Sequence, residues 1–283
     1  MLRNRLSFSH GSSLAAAAFA AVALTGQHAH AALLAYEPFN YVVGSSLANQ
    51  TVTGTGFTGT WSPWSSGNGD KVSANSLSEG GLATSAHSLA VTGYPPVVGT
   101  LATAISAATA TAPVWASFLY NPGASTYFGG FTLNLNDTNN QGLAFGVNDS
   151  ASHLQQFTVL TGSVSAVAAA APAANNTYLL VMEDVATASG GTLNLYVNPT
   201  VGALSAPATP DATVNYTKAI GNIGSLTLYG LSSSPVTVDE IRIGNTYADV
   251  TPAAAAVPEP ATLGLVVAGG LGLLLAGRKR KVT

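Results

Sequence analysis

Two pairs of adjacent acidic residues, Glu183-Asp184 and Asp239-Glu240, are the first candidates for chemistry in this sequence. A glycosidase needs two carboxyl groups flanking one sugar bond, about 5–5.5 Å apart when the configuration is retained. On a strand, acids that share a face are two residues apart, so each adjacent pair points to opposite faces. The spacing therefore argues against a glycosidase, unless carboxylates come together from separate strands.

The pair Asp239-Glu240 lies where the apolar alternation of its strand changes phase. Two valines on one side of the pair and two isoleucines on the other occupy opposite faces: Val236, Val238, Ile241 and Ile243. A β-bulge at the pair would explain the switch and re-aim one carboxylate. The sequence favours an ion pair between Glu240 and Arg242, and the alternative is a calcium site, since carboxylate oxygens suit that ion.

Two polar turns offer further oxygen ligands for calcium. Asp137 stands among asparagines, and Asp149 follows Asn148. Turn chemistry explains such clusters more simply, because Asn and Asp side chains bond their own backbone. No cofactor is predicted, and Asp137, Asp149, Asp239 and Glu240 remain weak calcium candidates.

Trp61 and Trp64 stand in a segment rich in glycine and threonine. They are typical of buried aromatic anchors in a loop that crosses a core. The alternative is an exposed platform on which sugar rings stack.

Composition excludes several classes of protein. There is no cysteine, which excludes thiolate catalysis, zinc–cysteine sites and iron–sulfur clusters. His87 and His153 have no spacing that suggests a metal pair or a base beside a nucleophile. Residues 32–256 hold eleven acidic and three basic residues, so nucleic acid is a poor partner.

Both ends of the chain have the composition of targeting segments. Residues 1–31 combine Arg3 and Arg5 with an alanine-rich apolar run and a small-x-small cleavage pattern, which predicts a secretory signal peptide. Residues 261–277 are uncharged and predict a transmembrane helix of about 25 Å. Four basic residues follow it and place the C-terminus on the cytoplasmic side: Arg278, Lys279, Arg280 and Lys281.

Between these ends, short apolar or alternating runs are separated by Gly, Pro, Asn and Asp turns. Strands of this length and spacing predict one all-β domain over residues 32–250, an antiparallel two-sheet sandwich of the jelly-roll type. Two alanine-rich stretches, residues 101–112 and 165–174, are interpreted as strand plus loop. Residues 251–257 are predicted to be a flexible linker before the tail, residues 258–283.

The tail, with Val257, Pro258, Glu259 and Pro260 before the apolar run and the basic cluster, resembles the PEP-CTERM sorting signal of exported bacterial proteins. That resemblance implies recognition and cleavage by an exosortase, a membrane protease, and delivery to the cell envelope or the exopolysaccharide matrix of a biofilm.

The body resembles concanavalin A-like (LamG-like) jelly-roll domains. The similarity rests on residues 34–39 with Gly56-Phe57 and Trp61, and on residues 238–244 and 247–252. A fold resemblance of this kind implies no activity.

The sequence thus predicts an exported, non-enzymatic surface or matrix protein. Its tail holds it in the inner membrane until an exosortase-like protease processes it, and its body is structural or binds polysaccharide weakly. The alternative is a calcium-dependent, lectin-like glycan-binding protein, followed by a polysaccharide-degrading enzyme.

Overall fold

The computed structural model of the chain describes residues 33–63, 69–93, 96–106, 113–125, 130–139, 142–149, 155–162, 164–230 and 235–254, without the Asp149 side chain. The predicted signal peptide (residues 1–31), the linker residues 255–257 and the tail (residues 258–283) therefore lie outside the described residues. No helix in the described ranges is long and apolar enough to cross a membrane.

The described chain is almost entirely β-structure. Its strands, in chain order, are β1 (Ala35–Glu37), β2 (Phe57–Pro63), β3 (Lys71–Ser73), β4 (Ser88–Val91), β5 (Val97–Ser106), β6 (Val114–Asn121), β7 (Phe131–Asp137), β8 (Leu143–Asp149), β9 (Gln155–Thr161), β10 (Val164–Val167), β11 (Tyr178–Thr187), β12 (Gly190–Val197), β13 (Ala212–Tyr216), β14 (Asn222–Gly230) and β15 (Val236–Gly244). One short helix, α1 (Tyr247–Val250), follows the last strand.

These strands form two antiparallel sheets. The first has the order β13-β12-β11-β6-β15-β4-β3, with β1 also paired to β15, and the second has the order β10-β9-β8-β7-β14-β5-β2. The predicted all-β, two-sheet antiparallel jelly-roll sandwich is confirmed. Both alanine-rich stretches begin as strands, in β5 and β10, because packing against neighbouring strands outweighs the preference of alanine for helix.

The main core lies between the sheets and follows the period-two alternation of the strands. In β7, Phe131, Leu133 and Leu135 are fully buried, as are Phe145 and Val147 in β8. Aromatic side chains from both sheets meet here, and the Phe118 ring lies 5.3 Å from the Phe131 ring. This interior holds the sandwich together by burying apolar surface.

A second, smaller apolar cluster covers the outer face of the first sheet. The Trp115 ring packs edge-on against the Tyr247 ring of α1, with 5.5 Å between centroids, and Leu82 and Val250 join them. A capping box between Thr246 and Asp249 starts α1. The part of the outer face around Trp115 is thus covered by α1 and by loops.

The expectation of a flexible linker from Thr251 onward is wrong for its first four residues. Thr251 is fully buried, and its carbonyl oxygen accepts a hydrogen bond from Gly202 N at 2.8 Å. Ala83 N donates to Pro252 O, and Ala254 N donates to Gly81 O, both at 2.9 Å. The small uncharged residues of this segment predicted a flexible backbone. Their backbone groups instead form hydrogen bonds with segments that are distant in the sequence.

Candidate functional site

The predicted bulge is present in β15. Its pairing with β6 shifts register between Asp239 and Arg242, and Glu240 has a positive φ of 57°, a backbone conformation that is uncommon for residues other than glycine. The extra residue turns the apolar side chains before and after it toward the same core, where all four are fully buried: Val236, Val238, Ile241 and Ile243. The bulge therefore reconciles the two phases of the alternation.

The predicted ion pair is also present. Glu240 Oε2 accepts hydrogen bonds from Arg242 Nη2 at 2.5 Å and from the Tyr36 hydroxyl at 2.8 Å. The Arg242 guanidinium lies 5.1 Å from the centre of the Tyr36 ring, a favourable cation–π position. Both charged side chains are buried, at 0% and 3% exposure. The pair is a buried salt bridge rather than a surface one.

The same carboxylates hold the segment that connects β3 to β4, residues 74–87, which we call the strap. Asp239 Oδ2 accepts hydrogen bonds from the Ser76 hydroxyl at 2.7 Å and from Leu77 N at 2.9 Å. Glu240 Oε1 accepts from Ser85 N, and Arg242 donates to Ala83 O. The acidic pair thus fastens the strap across the outer face of the first sheet.

These contacts leave little capacity for a calcium ion at the pair. Asp239 Oδ1 accepts from Glu240 N at 2.8 Å, so each of the four carboxylate oxygens already has a donor within the fold. Within the described ranges, no three or more His, Asp or Glu side chains are grouped to hold a metal ion. A cation here would have to replace the bonds that hold the strap.

The carboxylate oxygens of Asp137 also accept hydrogen bonds from backbone N–H groups. It accepts from Asn139 N at 3.0 Å, from Gly142 N at 2.9 Å and from Gly221 N at 2.8 Å. The bonds to Asn139 and Gly142 are the turn chemistry that the sequence offered as the simpler explanation. The bond to Gly221 joins this turn to a segment 84 residues away. The side chain of Asp149, the other candidate of this kind, lies outside the described residues.

A second buried acid, Glu37, was not singled out from the sequence. Its carboxylate accepts hydrogen bonds from Phe39 N at 2.7 Å and from the Tyr41 hydroxyl at 2.9 Å. The Tyr41 oxygen in turn accepts from Trp61 Nε1 at 2.8 Å. The sequence did contain a signal for Glu37, namely a carboxylate within an apolar strand at the start of the domain. The residues that bond this carboxylate could not be identified from the sequence.

Trp61 has no exposed surface, so its ring offers no face to a sugar and the stacking interpretation is wrong for this residue. The ring fills the space above Gly99, where an added Cβ would lie 2.7 Å from it. The alternative of a buried anchor describes Trp61. Trp64 lies outside the described residues.

Burial sets the ionisation of three interior acids. It raises the pKa of Glu37 and of Asp239 to about 7 and that of Asp184 to about 6. In each case the loss of hydration outweighs hydrogen bonds that favour the charged form.

Asp184 accepts a hydrogen bond from the Tyr216 hydroxyl at 2.6 Å inside the sandwich, whereas its neighbour Glu183 accepts hydrogen bonds from Asn194 and Tyr196 on the outer face. Glu183 and Asp184 therefore point to opposite faces, as predicted. The same prediction is wrong for Asp239 and Glu240, which both bond the strap because the bulge shifts the register between them and Arg242.

The outer face of the second sheet presents uncharged polar groups, which the sequence reasoning did not single out. Asn134 lies opposite Thr227, and Asn136 lies opposite Ser225 in the pairing of β7 with β14. Asn136 Nδ2 donates to both hydroxyls, at 3.1 Å to Ser225 and 2.8 Å to Thr227. Asn134 Oδ1 is buried without a hydrogen-bond partner. The sequence signal for this face is the set of polar residues that alternate with the apolar ones in β7.

Residues 256–281 match the family model described as the PEP-CTERM protein-sorting motif. The predicted resemblance of the tail is confirmed, and the motif indicates export and membrane anchoring for sorting. The match covers the tail, whose motif residues Val257–Pro260 and basic residues 278–281 lie outside the described part of the chain. No curated protein matches the chain.

Several solved structures are similar to this chain in fold. The binding domain of botulinum neurotoxin DC in complex with SialylT has a TM-score of 0.38 at 12% identity, over 72% of this chain and 47% of that one. This chain therefore spans about half the length of that domain.

The chain covers nearly the full length of two other similar structures. Domain 4 of AbnA, a GH43 extracellular arabinanase from Geobacillus stearothermophilus, in complex with arabinotriose, has a TM-score of 0.45 at 10% identity, over 78% of this chain and 99% of that one. The endo-1,3-beta-glucanase from Streptomyces sioyaensis has a TM-score of 0.46 at 10% identity, over 77% and 97%.

Proposed function

We propose that this chain is an exported protein of the cell surface or extracellular matrix, held in the membrane by its tail and processed there by an exosortase-like protease. The sorting motif at residues 256–281 carries the proposal. The signal peptide predicted for residues 1–31 would start the export, and the basic residues 278–281 would hold the end of the chain in the cytoplasm.

The body is proposed to be non-catalytic. Asp239 and Glu240, which the sequence singled out, hold the strap. The buried Glu37 accepts hydrogen bonds from the Tyr41 hydroxyl and from Phe39 N. A general acid or nucleophile needs an oxygen that reaches substrate. These buried oxygens reach protein donors instead, which supports a structural role.

The sorting step has a direct test. Replacing Pro258, Glu259 and Pro260 together by alanine is expected to trap the full-length chain in the membrane fraction, because the protease loses its recognition element while the anchor remains. The readout is the mass of the C-terminus and the distribution of the protein between membrane and medium. Thr283→Ala, which lies outside the matched residues 256–281, is the control. Release of the triple variant at the normal rate would contradict the proposal.

Weak polysaccharide binding by the outer face of the second sheet is the second part of the proposal. Uncharged amide and hydroxyl groups beside an aromatic ring suit sugar hydroxyls and sugar faces, and Asn134, Asn136 and Tyr229 supply them.

In affinity electrophoresis through the host exopolysaccharide, the protein is expected to be retarded. Asn134→Ala and Tyr229→Ala should each weaken binding about fivefold, the effect of losing about 1 kcal/mol. Thr213→Ala, an exposed change on β13 of the other sheet, is the matched control. Equal retardation of all variants would exclude this face, and retardation abolished by EDTA would favour the calcium-dependent lectin.

A further inference from the structure

Backbone bonds hold the chain against the body up to Ala254, shortly before the sorting tail. Leu82 and Ala253 form an antiparallel bridge, flanked by the bonds from Ala83 N to Pro252 O and from Ala254 N to Gly81 O. On the other side, Gly202 N donates to Thr251 O. The fold therefore sets the position of Ala254, the last described residue before the tail.

The tether that remains is short compared with the body. Six residues, 255–260, separate Ala254 from the uncharged run that begins at Ala261, and even fully extended they span about 20 Å. A folded body of about 220 residues is roughly 40 Å across. The side of the body around Ala254 must therefore stay close to the bilayer in which the run is anchored.

The surface around this exit is suited to a lipid headgroup region. We call it the exit face, formed by residues 80–83, 201–206 and 251–254, none of which is charged. The bonds above join its first and last segments to each other and to Gly202, and Val201, Ala203 and Ala206 pack against the apolar cluster that contains Leu82. Leu204 stands at its surface with 77% of its area exposed. The absence of charge is notable in a body with eleven acidic residues, since burying a charge near hydrocarbon is costly.

We propose that the exit face lies against the membrane while the chain is tethered, with Leu204 inserted among the lipids. This inference rests on the proposed function, because it requires the tail to be in the bilayer. The partner is a lipid surface: Leu204 supplies apolar area for the boundary between headgroups and acyl chains, and the short tether supplies proximity. The second sheet, on the far side of the sandwich, then faces away from the membrane and remains open to polysaccharide.

Because the chain has no cysteine, a single introduced cysteine reports one position. The full-length protein is reconstituted in vesicles of phosphatidylethanolamine and phosphatidylglycerol, with an environment-sensitive fluorophore on Leu204→Cys. The matched control is Val167→Cys, an apolar residue of β10 with 50% exposure on the outer face of the second sheet. Leu271→Cys, within the uncharged run, reports insertion of the tail.

With nitroxide-labelled lipid in the vesicles, the fluorophores at Leu204→Cys and Leu271→Cys are expected to lose most of their emission, and the one at Val167→Cys to keep it. Loss at Leu271→Cys with full emission at Leu204→Cys would overturn the membrane-facing orientation and leave the proposed function standing. Equal loss at Leu204→Cys and Val167→Cys would overturn it as well. Full emission at Leu271→Cys would overturn both proposals together.

Discussion

Replacing Arg242 with methionine is expected to lower the free energy of unfolding by about 3–5 kcal/mol, the cost of leaving one member of a buried ion pair uncompensated. Glu240 has no exposed surface and would keep the Tyr36 hydroxyl and Ser85 N as donors without a counter-charge. The strap would also lose the bond from Arg242 to Ala83 O. Urea unfolding followed by tryptophan fluorescence measures the change.

Lys71→Met is the matched control, because it removes another of the three cations of the body from an exposed position on β3. Exposed charges contribute about 1 kcal/mol or less. The double variant Glu240→Gln/Arg242→Met should recover part of the loss, since neither charge then remains buried. A loss below about 1 kcal/mol for Arg242→Met would show that the pair does not hold the strap.

Raising the pH from about 5 to 8 is expected to lower the Tm of the purified protein, because three interior acids bind their protons more tightly in the folded state than in the unfolded chain. Burial raises the pKa of Glu37 from 4.5 to about 7, that of Asp239 from 3.8 to about 7 and that of Asp184 from 3.8 to about 6. Their stabilisation is complete below the ordinary values and is lost as the pH rises through about 6 to 7.

The change at Glu37 alone corresponds to about 3 kcal/mol, and each kcal/mol moves Tm by about 2–4 °C in a domain of this size. Glu37→Gln cannot ionise, so it should flatten the fall in Tm between pH 5 and 8, whatever its effect on Tm at low pH. Glu79→Gln, at a partly exposed position, provides the comparison. A wild-type Tm that rises over this range, or an unchanged slope in Glu37→Gln, would contradict the assignment.

The sequence by itself was sufficient for the fold class, the bulge and the ion pair, because each follows from neighbouring residues. Period-two alternation determines which face of a strand is buried, and the change of phase at Asp239-Glu240 required an extra residue. The separation of two residues between Glu240 and Arg242 brought their charges together. The sorting motif is likewise a local pattern, and it was recognised in full.

Only the tertiary structure decided what those residues contact beyond their own strand. Ser76 and Asp239 are 163 positions apart, and no local pattern in β15 indicates that the strap will cross it. The segment around Trp61 has a composition that suits either a buried anchor or an exposed sugar-stacking platform. The packing of the Trp61 ring above Gly99 shows that it is a buried anchor. Thr251–Ala254 looked like a linker because small uncharged residues have no strong local preference. Their backbone groups bond Gly81, Ala83 and Gly202, which are distant in the sequence and are brought close only by the fold.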